Sequence, residues 1–288
     1  MLIPPLILLN TFVVLVMFSI GLRVRSDELL DVLRDRTILV RTLVANCVLI
    51  PAIGFLLVSI FPLTHEATIG LLLLAAIPGT PIAMQFTGKI QSRLAFAAGM
   101  TAVLSLVSIV MAPLAVEMFP ESAKHSDRPI LSLISAIVLY IALPLCAGLW
   151  VSRRAPGIAT GLVLPLVIVA TAAFIFLMWE TRLARRQALL AIAGRGTILA
   201  MVLLFLSSML IGWMIGKDPD TRRVLATSTS MRNVIIVLYI SRFCFPGTSV
   251  YMVPIVYLSI MVPANMLFHV SFAAWHRLRR PRALTGSA

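Results

Sequence analysis

Charge is what this sequence has least of: only 12% of its 288 residues are Asp, Glu, Lys or Arg, against 60% that are hydrophobic. Acidic residues are the scarcer sign, and all eleven fall in connectors or near the ends of apolar runs, with Glu117 the nearest to a run's interior. Ion-coupled carriers commonly use an intramembrane Asp or Glu as proton relay or cation ligand, and none is evident. The three cysteines, Cys47, Cys146 and Cys244, are odd in number and dispersed within apolar runs, which excludes a disulfide framework. Four scattered histidines without a His-x-x-x-His or Cys-x-x-Cys pair argue against a metal centre, and no cofactor is expected. Enzyme signatures are missing too: there is no Gly-x-Ser-x-Gly elbow, phosphate-binding loop or intramembrane carboxylate pair. The N-terminus lacks the basic region and small-residue cleavage site of a secretory signal, so the first apolar run is expected to be retained.

What the chain has is length of apolar run. A mean hydropathy of +1.03 is far beyond that of a soluble domain, and several runs reach the ~20 residues a helix needs to cross ~30 Å of hydrocarbon. They do not alternate as barrel strands do. The sequence predicts an all-α polytopic membrane protein of about nine helices, at 3–22, 38–61, 67–89, 93–118, 129–152, 158–178, 196–216, 222–245 and 249–274. Residues 1–118 and 119–274 would form two halves of four and five spans, followed by a basic cytoplasmic tail at 275–288.

A net charge of +13 would suggest nucleic acid in a soluble protein, but here the basic residues sit in short connectors and read as a topology signal. Alternate connectors hold sixteen Lys and Arg on one side and seven on the other, and Arg232 inside a span completes the 24. The positive-inside rule then puts the N-terminus outside and the C-terminus in the cytoplasm, in a bacterial cytoplasmic (inner) membrane. The connector 179–195 resists this assignment because it carries four arginines on the outer side, which suits an amphipathic interfacial helix.

Two spans are broken at their centres. One break is Ile77-Pro78-Gly79-Thr80-Pro81, and the other is Ser228-Thr229-Ser230-Met231-Arg232-Asn233. Lipid offers a peptide group no hydrogen-bond partner, so a broken helix at membrane depth is tolerated where protein or a water-filled cavity satisfies the freed groups. The breaks fall in the third and eighth spans. A five-helix repeat lacking its first member would make them equivalent and, five being odd, oppositely oriented: an inverted-topology repeat with the site between the breaks.

Arg232 is the chemical outlier, a permanent cation about ten residues inside an apolar span, where the cost is roughly 2.5–3.5 kcal/mol. It can meet an anionic substrate through its planar two-pronged guanidinium, or it can hydrogen-bond to carbonyls freed by the other break, and the two roles are compatible. Thr227, Ser228, Thr229 and Asn233 form a stronger group, since consecutive polar residues cannot all lie on one helix face. Thr80, Gln85, Thr87, Thr101 and Asn46 are further polar candidates, each equally suited to an ordinary interhelical hydrogen bond. A half-helix beginning after Pro81 would add an anion-attracting N-terminus. Tyr257, Ser259 and Asn265 are read as stabilising the last span.

Several segments carry a family resemblance: Met17-Phe18-Ser19-Ile20-Gly21-Leu22, the run IPGTPIAMQFTG from Ile77, AFAAGMTAVLSLVSIVMAPL from Ala95, and ATSTSMRNVIIVLYISRF from Ala226. Together they resemble the bile acid:sodium symporter superfamily. The resemblance implies an inverted repeat with a panel and a core domain, two crossing broken helices, and here nine spans with the first helix missing. It also exposes departures. The family's Ser and Asn of the first break fall at Ala83 and Met84, a sodium-liganding Ser at Ala97, the shared Glu at Ser228 and a sodium-site Gln at Arg232, while Thr101 is kept and a further Gln corresponds to Asn46. The expected function is a secondary transporter of a small organic anion working by alternating access, with sodium coupling in doubt and no metal bound at these degenerate positions. An efflux carrier resembling auxin-efflux or arsenite carriers, or a receptor or scaffold that keeps the fold, are the alternatives. The lipid bilayer and the anion are the expected partners, without nucleic acid.

Overall fold

The computed structural model describes residues 5–23, 32, 34–79, 83, 94–119, 130–184, 192, 194 and 196–279, and among these the regular structure is entirely helical. Helix α1 is Pro5–Arg23, α2 runs over Arg36–Ile60, α3 is His65–Ala76 and α4 is Leu94–Glu117. Helix α5 comprises Ile130–Ile137, a π turn Val138–Ala142 and Leu143–Arg154. Helices α6 (Pro156–Ala184) and α7 (Thr197–Ile215) follow, then the two halves α8a (Pro219–Ser230) and α8b (Val234–Cys244), and α9 (Met252–Arg279). Seven segments are long and apolar enough to cross a membrane, counting α8a and α8b together, while α3 and the Asn10–Arg23 part of α1 are shorter apolar helices. The chain is an integral, polytopic membrane protein.

The sequence says why the helices start and turn where they do. Asp35, Thr64 and Asp218 each precede a helix and accept a hydrogen bond from the backbone N–H three residues on, at 3.2, 3.2 and 2.9 Å, satisfying donors that a helix start leaves free. Proline shapes the interiors: α2 and α5 each contain a π turn, Ala45–Leu49 and Val138–Ala142, just before Pro51 and Pro144. The missing N–H and the ring's clash with the carbonyl four residues back explain the widened turn. Two C-terminal ends lie five or more residues beyond the predicted bounds. Helix α6 continues six residues past 178, and α9 continues through Trp275 to Arg279, because no Gly or Pro interrupts either segment there. The tail beyond Arg279 and the arginines at 185 and 186 lie outside the described residues.

The helices pack in two groups. Helix α1 lies along the second half of α5 and along α6, whereas α2, α3, α4, α7, α8 and α9 pack on one another. This is the panel and core arrangement expected. Within the smaller group, α1 and α5 cross at Gly21 and Gly148, where a Cβ on Gly148 would stand 2.3 Å from the Phe18 carbonyl oxygen and 2.9 Å from the Gly21 Cα. In the larger group the span Pro219–Cys244 is wholly buried, in contrast to 11% of Pro156–Ala173 in α6. The most polar span is therefore the one sheathed by protein, and α6 is the least enclosed of the membrane-length helices among the described residues.

Two contacts show which helix ends share a side. Lys217, between α7 and α8a, sits 3.5 Å from Asp35 at the start of α2, while Gly196 at the start of α7 packs against Phe61 at the end of α2. The arginine-bearing connector before α7 thus delivers the chain to the same side as the α2–α3 turn. Replacing Gly148 with Val should force α1 and α5 apart at a cost of about 1–3 kcal/mol, measured as a lowered melting temperature of the detergent-solubilised protein, while Gly157→Val, where a Cβ meets nothing within 4 Å, should leave it unchanged.

Candidate functional site

A helix that stops in mid-membrane leaves its last carbonyls without intrahelical donors. Helix α3 stops at Ala76, where Ile77 turns extended (φ −101°, ψ 101°) and its N–H still bonds to the Leu73 oxygen at 3.0 Å. Gly79 follows at φ +64°, and a Cβ there would stand 2.4 Å from the Cβ of Leu104 on α4. Both the backbone sign and the contact require glycine. Helix α8a stops at Ser230, after which Met231 is extended, and Asn233 caps the start of α8b, its side chain accepting from the Ile236 N–H at 3.2 Å. Arg232 is the middle residue of this second break.

The guanidinium of Arg232 is fully buried and is committed to protein. Its Nε donates to the Leu74 oxygen at 2.8 Å, Nη2 donates to the Ala75 oxygen, and Nη1 donates to Asn46 Oδ1 at 2.8 Å. Two of α3's freed carbonyls are thus capped by a side chain from the other broken helix. Two carbonyls just past the helix end are also bonded: the Ile77 oxygen accepts from the Asn233 N–H at 3.4 Å, and the Pro78 oxygen accepts from the Ser108 hydroxyl of α4. On the α8a side, the Tyr257 hydroxyl of α9 donates to the Ser230 oxygen at 3.0 Å. A positive charge between the C-terminal ends of α3 and α8a is electrostatically well placed, since both ends carry partial negative charge.

Asn46 reaches this point from the π turn of α2, and its Nδ2 donates to the Thr42 oxygen at 2.9 Å and to Thr229 Oγ1 at 3.4 Å. The structure therefore brings Arg232, Asn233, Thr229 and Asn46 together. Ser228 and Ser230 turn their hydroxyls back onto their own helix, to the Leu225 and Thr227 oxygens at 3.3 and 3.2 Å. Thr101 is buried on α4, and its hydroxyl has no hydrogen-bond partner among the described residues. Ala83 and Ala97 are fully buried. Thr80, Pro81, Met84, Gln85 and Thr87 lie outside the described residues.

Two residues of the crossing carry roles that the sequence did not suggest. Ser108 lies on one helical face with Thr101 and Ser105, all three buried, and that spacing of four and three residues was the available signal for a polar stripe. Tyr257 was assigned to the last span, yet its hydroxyl serves the break in α8. Ser259 and Asn265 do bond within α9, to the Ile255 and Met261 oxygens. No group of three or more His, Cys, Asp or Glu side chains suited to a metal ion occurs among the described residues.

Compared with family models, residues 10–213 match the Sodium Bile acid symporter family. The chain belongs to this family. The match ends before α8a, so the second break and Arg232 lie beyond it, while Asn46, α3 and Ser108 lie within it. No curated protein sequence matches the chain. As a member of the sodium bile acid symporter family, the protein is a transporter in kind, and its paired breaks occupy the centre of the larger helix group.

Replacing Arg232 with Met should leave the Leu74 and Ala75 carbonyls and Asn46 Oδ1 without these donors, at a cost of about 3 kcal/mol. Arg232→Lys should recover only part of it, since one ammonium cannot reproduce the guanidinium fork. Thermal unfolding of the two variants beside the wild type measures the order.

Proposed function

We propose that this sodium bile acid symporter family member is a secondary transporter of a small organic anion, with Arg232 as a tethered cation in place of a coupling sodium ion. The observation that supports this reading is the uncompensated charge of Arg232: the three oxygens to which it donates are neutral, and no Asp or Glu is present in the interior of any span. Beside it, the Nδ2 of fully buried Asn233 has no hydrogen-bond partner among the described residues, at the N-terminus of α8b. A buried positive charge, a spare N–H donor and a helix N-terminus together favour a carboxylate or sulfonate.

The guanidinium performs with covalent attachment what a bound cation performs by coordination, holding the carbonyl ends of crossed helices together. Sodium then has little left to do there, because the family's Glu and Gln oxygens are replaced by Ser228 and Arg232. Substrate attraction is exerted through field rather than direct contact, since Arg232 donates to protein from Nε and from both terminal nitrogens. Alternating access follows from the two helix groups: α1, α5 and α6 move against the rest, which carries the breaks, with 1–118 and 119–274 as inverted halves. The N-terminus is outside and the C-terminus cytoplasmic, in a bacterial inner membrane.

A thermal-shift screen of organic carboxylates and sulfonates, with sodium or with choline, tests both parts of the proposal. The expected result is stabilisation by at least one anion, equal in the two salts, and uptake of that anion into proteoliposomes unaffected by replacing sodium. A strong sodium requirement would overturn the tethered-cation reading. For uptake by Arg232→Gln, scored per folded protein, a loss is expected, whereas undiminished uptake with lowered thermal stability would confine Arg232 to bracing.

A further inference from the structure

One histidine lies inside a span. His269 is in α9, within the membrane-length window Met252–Ala274, and its ring bridges two residues of α8a. Thr227 Oγ1 is 2.9 Å from Nε2, and Arg223 Nη2 is 3.3 Å from Nδ1. A guanidinium only donates, so Nδ1 must be the acceptor and carry no proton. In the neutral ring the proton is then on Nε2, which donates to the Thr227 hydroxyl. The hydrogen-bond partners thus define one tautomer.

Arg223 is held in place independently of the imidazole. Its side chain is 16% exposed, its guanidinium lies 4.4 Å from the centre of the Phe272 ring, and Nη1 is 3.7 Å from Asp220. Phe272 and Phe268 both pack on Trp213 of α7. When His269 takes a proton at Nδ1, the acceptor for Arg223 disappears and a second positive charge faces a guanidinium that cannot give up its own. Asp220 already pairs with Arg223, and Arg222 is turned to the Gly216 oxygen at 3.0 Å. Helix α7 brings no titratable side chain. Helix α3 carries its His65 and Glu66 in its first turn, at the end away from the break, and Arg242 is at the far end of α8b. Tyr257 is twelve residues earlier on α9, and the side chains of His276, Arg277 and Arg279 lie outside the described residues.

We infer that His269 is a proton-binding site that clasps α9 to α8a through both ring nitrogens while neutral and loosens that hold on protonation, when Nε2 still donates to Thr227 but Nδ1 no longer accepts from Arg223. The loosened arm is the one that ends at Ser230, whose oxygen Tyr257 of α9 also holds. The proton is therefore a ligand of the second broken helix, at a place separate from the crossing itself. The Arg223 bond is intact above the titration of the imidazole and lost as pH falls through it.

The test uses the full chain in detergent with 15N-labelled histidine, as wild type and as H269Q, from about pH 8 to about pH 5, where histidine changes charge. Gln offers an acceptor to Arg223 and a donor to Thr227 but takes no proton there. One signal, missing from H269Q, should show the Nε2–H tautomer at the upper pH and gain a proton at Nδ1 on acidification. Over the same range the wild-type melting temperature should fall by about 3 °C or more relative to H269Q. H269A, which lacks both bonds, should be destabilised at the upper pH. An Nδ1–H tautomer, a signal that does not titrate, or identical pH dependence in wild type and H269Q would overturn the inference. Neither measurement involves a transported anion, so the outcome is independent of the sodium and uptake experiments.

Discussion

The crossing of the two broken helices depends on one guanidinium. Without Arg232, α3 would end in the middle of the membrane with the carbonyls of Leu74 and Ala75 facing no donor, in a region where water does not supply one. Nearly everything else at the centre follows from that requirement. The π turn in α2 presents Asn46 to the third edge of the guanidinium, Gly79 lets the chain turn against Leu104, and Asn233 both starts α8b and bonds back to Ile77. Planarity matters as much as charge, since one group reaches two successive carbonyls and a side-chain oxygen in different directions.

Burying a cation is expensive, and the fold meets that cost by position rather than by a counter-ion. The guanidinium stands where two helix C-termini converge, is hydrogen-bonded on three nitrogens, and belongs to the span most completely enclosed by protein. A mobile cation in the same place would have to be bound in each cycle and could leave. A tethered one cannot leave, which is the physical basis for the proposal that Arg232 stands in place of a coupling ion. The bridge from Arg223 through His269 to Thr227 sits at the other end of the same half-helix, where a change of charge acts on the arm instead of on its tip.

Much of this was legible in the sequence, because membrane helices obey constraints that are local in sequence. Apolar run length marks the spans, and proline and polar clusters mark the breaks. Arg232 stood out because a charge is conspicuous against an apolar background. Helix ends were less legible at 178 and 274, where the residues beyond the apolar window are good helix formers and nothing stops the backbone.

What the sequence by itself determined is the class, the number of apolar segments, the two breaks and the presence of a cation in one of them. Each of these depends on the free energy of moving a residue or a peptide group out of water, which is a property of composition along the chain. Only the tertiary structure decided which carbonyls that cation caps, that Ser228 turns to its own helix while Thr229 faces Asn46, that Ser108 and Tyr257 complete the crossing, and that His269 meets Arg223. Apart from Ser228, which bonds within its own helix, those are pairings between residues 27 to 186 positions apart, and a hydrogen bond is selected by distance and direction in space, which the order of residues along the chain does not give.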